Sequence, residues 1–319
     1  MERIKTLSLW SGILGFVVVA LGAWTRLADA GLGCPDWPGC YGFVTIPVSP
    51  EEIDIANAKF PDTPYEVAKA IPEVVHRYFA AALGFMILCI AFLAFRYKDL
   101  PSDVRKLSFF LIAWVIMQGT FGYWTVSLKL WPQVVTTHLM SGFLTTGLLW
   151  LLYFKTKDRL QNRATWDFGA TTKKLFNVSI VLVAIQIFLG AWTSTNYASL
   201  ACIDFPQCKA SYWPEMDFRS GFNLFQEVGP NYLYGLLDNN ARVAIHFTHR
   251  IWAILVIIVF FILITRLWFS KIAPLASTVG VVLLTQISLG IMNVVYTLPL
   301  YVAIAHNLVA AMLLSLIHI

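Results

Sequence analysis

"LGAWTRLADAGLGCPDWPGC", Leu21 to Cys40, returns 168 residues later as "LGAWTSTNYASLACIDFPQC", Leu189 to Cys208. Each copy closes an apolar run with the same five residues and then enters a loop carrying two cysteines. The echo continues beyond that stretch. Gln118, Gly122 and His138 match Gln286, Gly290 and His306 at the same offset, and His76–Arg77 returns as His249–Arg250 at an offset of 173. A constant offset across distinctive residues marks one unit written twice, the signature of an internal structural repeat.

Composition says where that unit lives. Hydrophobic residues make up 58% of the 319 and charged residues only 13%, about half the share of a soluble domain. Eight stretches are long enough to cross a bilayer at about 20 residues each: 8–26, 73–95, 106–128, 133–154, 174–194, 242–265, 272–296 and 301–319. The first is too long, and too poor in a small-residue cleavage pattern, to read as a removable signal. The expected fold is an all-α membrane protein of eight transmembrane helices. Four crossings return the chain to its starting side, so both copies share one orientation. Two tandem four-helix bundles, 1–160 and 161–319, related by a pseudo-twofold axis along the membrane normal, are expected. The inner loop near 155–173 is their boundary.

Basic residues set the orientation. With a cytoplasmic N-terminus, the short inner segments hold 14 of the 23 Lys and Arg, while the outer segments hold 13 of the 18 acids. Both cysteine loops, about 27–72 and 195–241, then face out. The net charge of +5 is thus a topology signal and gives no reason to invoke nucleic acid. The last six residues, "LSLIHI" (Leu314 to Ile319), read like the translation of a sequencing-library adapter. On that reading helix eight naturally continues otherwise and His318 is set aside; a chain that happens to end there is the other reading.

Four histidines carry the chemistry. His76 and His249 open helices two and six, and His138 and His306 lie just inside helices four and eight. Within each half the two imidazoles are expected at similar depth on facing helices, an arrangement that suits a planar macrocycle whose iron takes two imidazoles. Hydrogen bonding across helices is the bland alternative. A zinc site would need its ligands to converge on one point, whereas these form two separated pairs. Three residues before His76 stands Glu73, and in the duplicate position stands His246. A carboxylate at the edge of an apolar layer needs a task or a partner; a solvated acid among headgroups is the other reading. Arg77 and Arg250 suit either the carboxylates of a bound porphyrin or lipid phosphates.

Cys34 and Cys40 are six apart, as are Cys202 and Cys208. Pro35, Pro38 and Pro206 favour turns that bring the sulfurs together, and an outward face lets disulfides persist. A structural staple and a thiol-disulfide relay both stand. Cys89, mid-span and without a counterpart, reads as packing. The acidic, Pro-containing stretch near 47–70 has no role from sequence.

The motifs "GCPDWPGC" (Gly33 to Cys40), "EVVHR" (Glu73 to Arg77), "TTHLMSG" (Thr136 to Gly142), "HFTHR" (His246 to Arg250) and "AIAHN" (Ala303 to Asn307), in this order and in a duplicated frame, resemble the haem A synthase family. The resemblance covers all eight spans and both outer loops. It implies an enzyme of a bacterial cytoplasmic or mitochondrial inner membrane that oxidises a ring methyl group of haem O to a formyl group by successive hydroxylations, and the lack of an evident transit peptide favours the bacterial one. It further implies a haem b cofactor between His249 and His306, substrate haem O near His76 and His138, and a catalytic role for Glu73. The cysteine pairs match its disulfide-forming version. Partners implied are haem O, haem A, the synthase that supplies haem O and assembly factors of terminal oxidases. Two rivals remain: a dihaem electron carrier, which leaves Glu73 without work, and a thiol-disulfide oxidoreductase, which leaves the histidines without work.

Overall fold

The computed structural model describes residues 1–161, 169–270 and 272–316. The chain order is α1 (Glu2–Leu27), α2 (Pro50–Lys59), α3 (Val67–Arg96), α4 (Ser102–Ser127), α5 (Pro132–Gln161), α6 (Ala170–Thr195), α7 (Phe218–Gly221), α8 (Asn239–Phe269), α9 (Ala273–Val295) and α10 (Leu300–Leu316). Among the described residues there is no strand. Two isolated bridges, Cys40 with Phe43 and Cys208 with Ser211, pin the cysteine loops.

Seven of these helices (α1, α3, α4, α5, α6, α8 and α9) are long and apolar enough to cross a bilayer, and α10 is a shorter apolar helix of 17 residues. The helices run past the apolar windows read from sequence. α3 begins at Val67 rather than near 73 and carries Pro72 inside it, so His76 stands well within the helix instead of in its first turn. His249 likewise lies ten residues into α8. Hydrophobicity marks only the part of a helix that lipid touches, whereas backbone hydrogen bonding continues through polar turns. The expected boundary near 155–173 falls partly on α5 and partly on residues 162–168, which with Arg163 lie outside the described residues. Lys271 and His318 do too.

α1 packs between α3 and α5, and α4 closes against the same two helices. α6 packs on α8, α9 on α8 and α10, and α10 reaches α6. The two sets meet where α5 touches α6 and α1 touches α10. Repeated details accompany the repeated sequence. α1 and α6 both end on a left-handed residue, Asp29 (φ 52°) and Tyr197 (φ 54°), followed by equivalent closing bonds from Ala30 N to Thr25 O and from Ala198 N to Thr193 O, each 2.9 Å. Such a left-handed stop satisfies carbonyls that the last turn would leave open.

Apolar packing is uneven along the first set. Ile4, Ile87, Ile90, Val104, Leu111, Leu149 and Leu152 form a dry core at the end far from the cysteine loops. The near end is hollow, and the site lies there. A second core joins Val183, Val256, Phe260, Val279 and Ala311 to Phe143 of α5. The stretch 47–70, unassigned from sequence, is a cap. Ser49 and Glu52 close a capping box on α2, and Tyr41, Phe60, Tyr65 and Ala56 enclose the first cysteine pair. Burial pushes the Tyr41 phenol up to about 12, with the charges of Glu66 and Glu73 adding to it.

Candidate functional site

Residues 73, 76 and 77 are spaced i, i+3 and i+4, so Glu73, His76 and Arg77 share one face of α3. That face turns toward α1 and α5. His76 meets His138 of α5 with ring centroids 6.4 Å apart and planes at 86°. Both rings line a cavity of about 550 Å³, within the usual size range of small-molecule sites. Each ring is seated against a glycine of a neighbouring helix. A Cβ on Gly22 would stand 3.0 Å from the His76 ring, and one on Gly122 would stand 3.2 Å from the His138 ring. The repeat copies the seats: Gly190 faces His249 at 3.1 Å and Gly290 faces His306 at 3.1 Å.

In the second half, the side-chain nitrogen of Gln186 lies 3.2 Å from His249 Nδ1, and that of Gln286 lies 3.3 Å from His306 Nε2. In the first half Gln118, the counterpart of Gln286, instead donates to the His138 carbonyl at 2.9 Å and bonds the Ser141 hydroxyl. Among the described residues no cluster of three or more His, Cys, Asp or Glu is arranged to hold a metal ion. The zinc reading therefore gains nothing.

Glu73 is only 4% exposed, which overturns the solvated-acid reading. The Cys34 amide donates to one carboxylate oxygen at 2.9 Å, and Arg77 pairs with the other at 2.5 Å. Arg77 also donates to the carbonyls of Asp36 (2.8 Å), Gly39 (2.7 Å) and Cys34 (3.4 Å). Arg250 repeats this on Asp204 (2.9 Å), Gln207 (2.9 Å) and Cys202 (2.6 Å), and its Nε donates to His246 at 3.2 Å. Both arginines, read from sequence as porphyrin or lipid contacts, here hold the cysteine loops. Partly buried guanidinium groups need carbonyl or carboxylate partners, and the seven-residue segments from cysteine to cysteine, folded back on their helices, supply them.

Cys34 and Cys40 lie at disulfide distance, 2.06 Å, and Cys202 and Cys208 at 1.91 Å. Cys89 is free and partly buried. An aspartate that sequence reading passed over finishes each loop. Asp36 accepts from the amides of Tyr41 (2.6 Å) and Gly42 (2.7 Å), and Asp204 from Lys209 (2.8 Å) and Ala210 (2.6 Å). The Ala210 and Lys209 amides hold the Asp204 carboxyl below its ordinary value. Their shared offset, two positions after the first cysteine, was the available signal. A second residue missed from sequence is Arg26. It lines the cavity, pairs with Asp29 at 3.5 Å, bonds the Ser194 carbonyl and lies 3.9 Å over the Tyr197 ring.

Similarity to known proteins now bears on this geometry. A family model described as cytochrome oxidase assembly protein, COX15-CtaA, matches residues 5–318. The chain belongs to this family. It is 42% identical over 303 residues to the heme A synthase of Shewanella oneidensis, covering 95% of the chain and 91% of that relative. More distant COX15-CtaA relatives are the heme A synthases of Rickettsia massiliae, 25% identical with 96% and 94% covered, and of Caulobacter vibrioides, 25% identical with 98% and 94% covered.

Proposed function

We propose that the chain is a haem A synthase, an oxidoreductase that converts the ring methyl of haem O to the formyl of haem A. Family membership and the 42% identical relative named heme A synthase support this reading. The single structural observation behind it is the pair His76 and His138 facing each other across a cavity at 6.4 Å. A haem iron bound between them would take its two imidazoles from His76 and His138.

Haem O is then held in the first half, 1–160, with His76 and His138 facing its iron and Glu73 beside its edge. Converting a methyl and one water to a formyl releases four electrons, passed to an external electron acceptor, and four protons, and a fixed carboxylate stabilises the positive character that develops on that carbon. It also stands ready to take a proton from attacking water. Both Glu73 oxygens are held, so the group cannot swing away.

The second half, 161–319, suits a resident haem b. His249 and His306 are imidazoles on separate helices, each backed by a glycine, and the buried side-chain oxygens of Gln186 and Gln286 lack a hydrogen-bond partner. When bound, haem b supplies one-electron transfer. His246 replaces the acid here and accepts from Arg250, so this half lacks the carboxylate that the chemistry uses.

The architecture that accompanies this reading is eight spans, with α10 the eighth, in two four-helix bundles around a pseudo-twofold axis. The protein is placed in a bacterial inner membrane with its N-terminus cytoplasmic and the cysteine loops external. Partners are the enzyme that supplies haem O and assembly factors of terminal oxidases. Co-expression with a source of haem O, followed by haem extraction and chromatography, tests the reading. Haem A in the extract is expected. Recovery of haem b and unaltered haem O alone would make the protein a dihaem carrier. Loss of haem A on replacing the four loop cysteines, with haem still bound, would favour thiol-disulfide chemistry.

A further inference from the structure

The first-half cavity is not closed on every side. Apart from Trp37 of the first cysteine loop, the large exposed side chains in its wall come from two helices: Phe85 and Leu88 on α3, and Ile116 on α4, each more than half exposed. Between them lie Gly84 and Gly119, both also lining the cavity. These glycines differ from the four that seat histidines. A Cβ at either would meet nothing within 4 Å, so packing does not require them to be small. The repeat supplies the comparison. At the duplicate positions, 173 and 168 residues on, stand Ile257 and Ile287. Both are partly buried, and Ile287 packs on the core of the second half. The two halves are therefore alike around their histidines and different along this seam: glycine in one, isoleucine in the other.

We infer that the α3–α4 seam is the seat of the hydrocarbon tail of haem O. On this assignment, Gly84 and Gly119 make the first half prefer a tailed porphyrin over a tail-less one. The inference rests on the haem A synthase reading and adds the basis of its substrate choice. An amphipathic substrate needs a polar end for its iron and an apolar exit for its chain. The cavity offers His76, His138 and Glu73 at one end and a lipid-facing apolar slot at the other. Within the bilayer a tail gains by packing closely against the helices rather than by leaving water, so a slot of this shape discriminates by tail. Isoleucine side chains at the corresponding positions of the second half suit a porphyrin without a tail.

The test is Gly84→Ile and Gly119→Ile, singly and together, in the full-length protein in membranes supplied with haem O. Haem A formation is expected to fall about tenfold or more. The haem b content should be kept, and the preference of the first site for haem O over tail-less haem should shrink toward parity. Unchanged haem A yield and unchanged preference overturn the inference. A second measurement uses the unsubstituted protein, so that a misfolded variant cannot decide the matter. Haem O carrying a photoreactive group at the end of its tail should attach around Phe85, Leu88 and Ile116. Attachment to other helices overturns the assignment. So does labelling of the seam by a photoreactive phospholipid that haem O fails to displace. Failure of the underlying reading looks different, because the unsubstituted protein then makes no haem A at all.

Discussion

Glu73 and Arg77, one helical turn apart on α3, meet at 2.5 Å, and both reach back to the loop that Cys34 and Cys40 close. The carboxylate and the cysteine loop are therefore one assembly. Moving the loop moves the acid, and the acid is anchored as firmly as the loop is folded.

Replacing Glu73 with Gln keeps the shape and removes the charge. Haem b is expected to stay bound while haem A falls below detection in extracted haems. A normal haem A yield from E73Q would remove the carboxylate from the mechanism.

The second-half histidines are separable from the first. His306→Ala is expected to abolish the haem b absorbance in reduced-minus-oxidised spectra while the protein still inserts in membranes. A spectrum identical to that of the unsubstituted protein would place the cofactor elsewhere.

Glycine seats give a subtler test. Gly190→Val puts its Cβ at the distance of 3.1 Å from the His249 ring and adds two methyls beyond it. Overpacking of this kind costs about 1–3 kcal/mol. The expected result is a haem b content reduced severalfold with a shifted absorbance band. Full occupancy with an unshifted band would show that the ring has room to spare.

Acid should loosen the second cysteine loop before the bundle. The Asp204 carboxyl is held low by the Ala210 and Lys209 amides. Its contribution is present above the ordinary aspartate value, about 3.9, and is lost as pH falls through the lower folded value. Reduction of Cys202–Cys208 by an acid-tolerant phosphine should accelerate below about pH 4. Asp204→Asn should show the faster rate already at neutral pH. A variant as slow as the unsubstituted protein at neutral pH would mean that the aspartate does not hold the loop.

Much of this was legible in the sequence because duplication doubles every signal. His76, His138, His249 and His306 stood out through their offsets, and the cysteines did so for the same reason. What stayed hidden depended on contacts rather than composition. Arg77 looked like an interfacial cation because nothing in a linear reading shows the cysteine loop folding onto its guanidinium. The start of α3 at Val67 was missed because Lys69, Pro72 and Glu73 interrupt the apolar pattern, although the backbone there is helical. Asp36 and Asp204 were in plain view, yet a single acid beside a cysteine carries no message until its acceptor role is known. Gly84 and Gly119 became informative only once Ile257 and Ile287 had been placed opposite them in the repeat.

Arg26 carries one more lesson. Positions 26 and 194 are repeat mates, and they touch: the guanidinium bonds the Ser194 backbone. In a pair of identical separate chains, such a self-facing position would set arginine against arginine, two like charges in a confined, poorly screened place. Joining the copies into one gene lifts that constraint, because each partner then mutates alone. Here the cation stands on one side and a serine on the other.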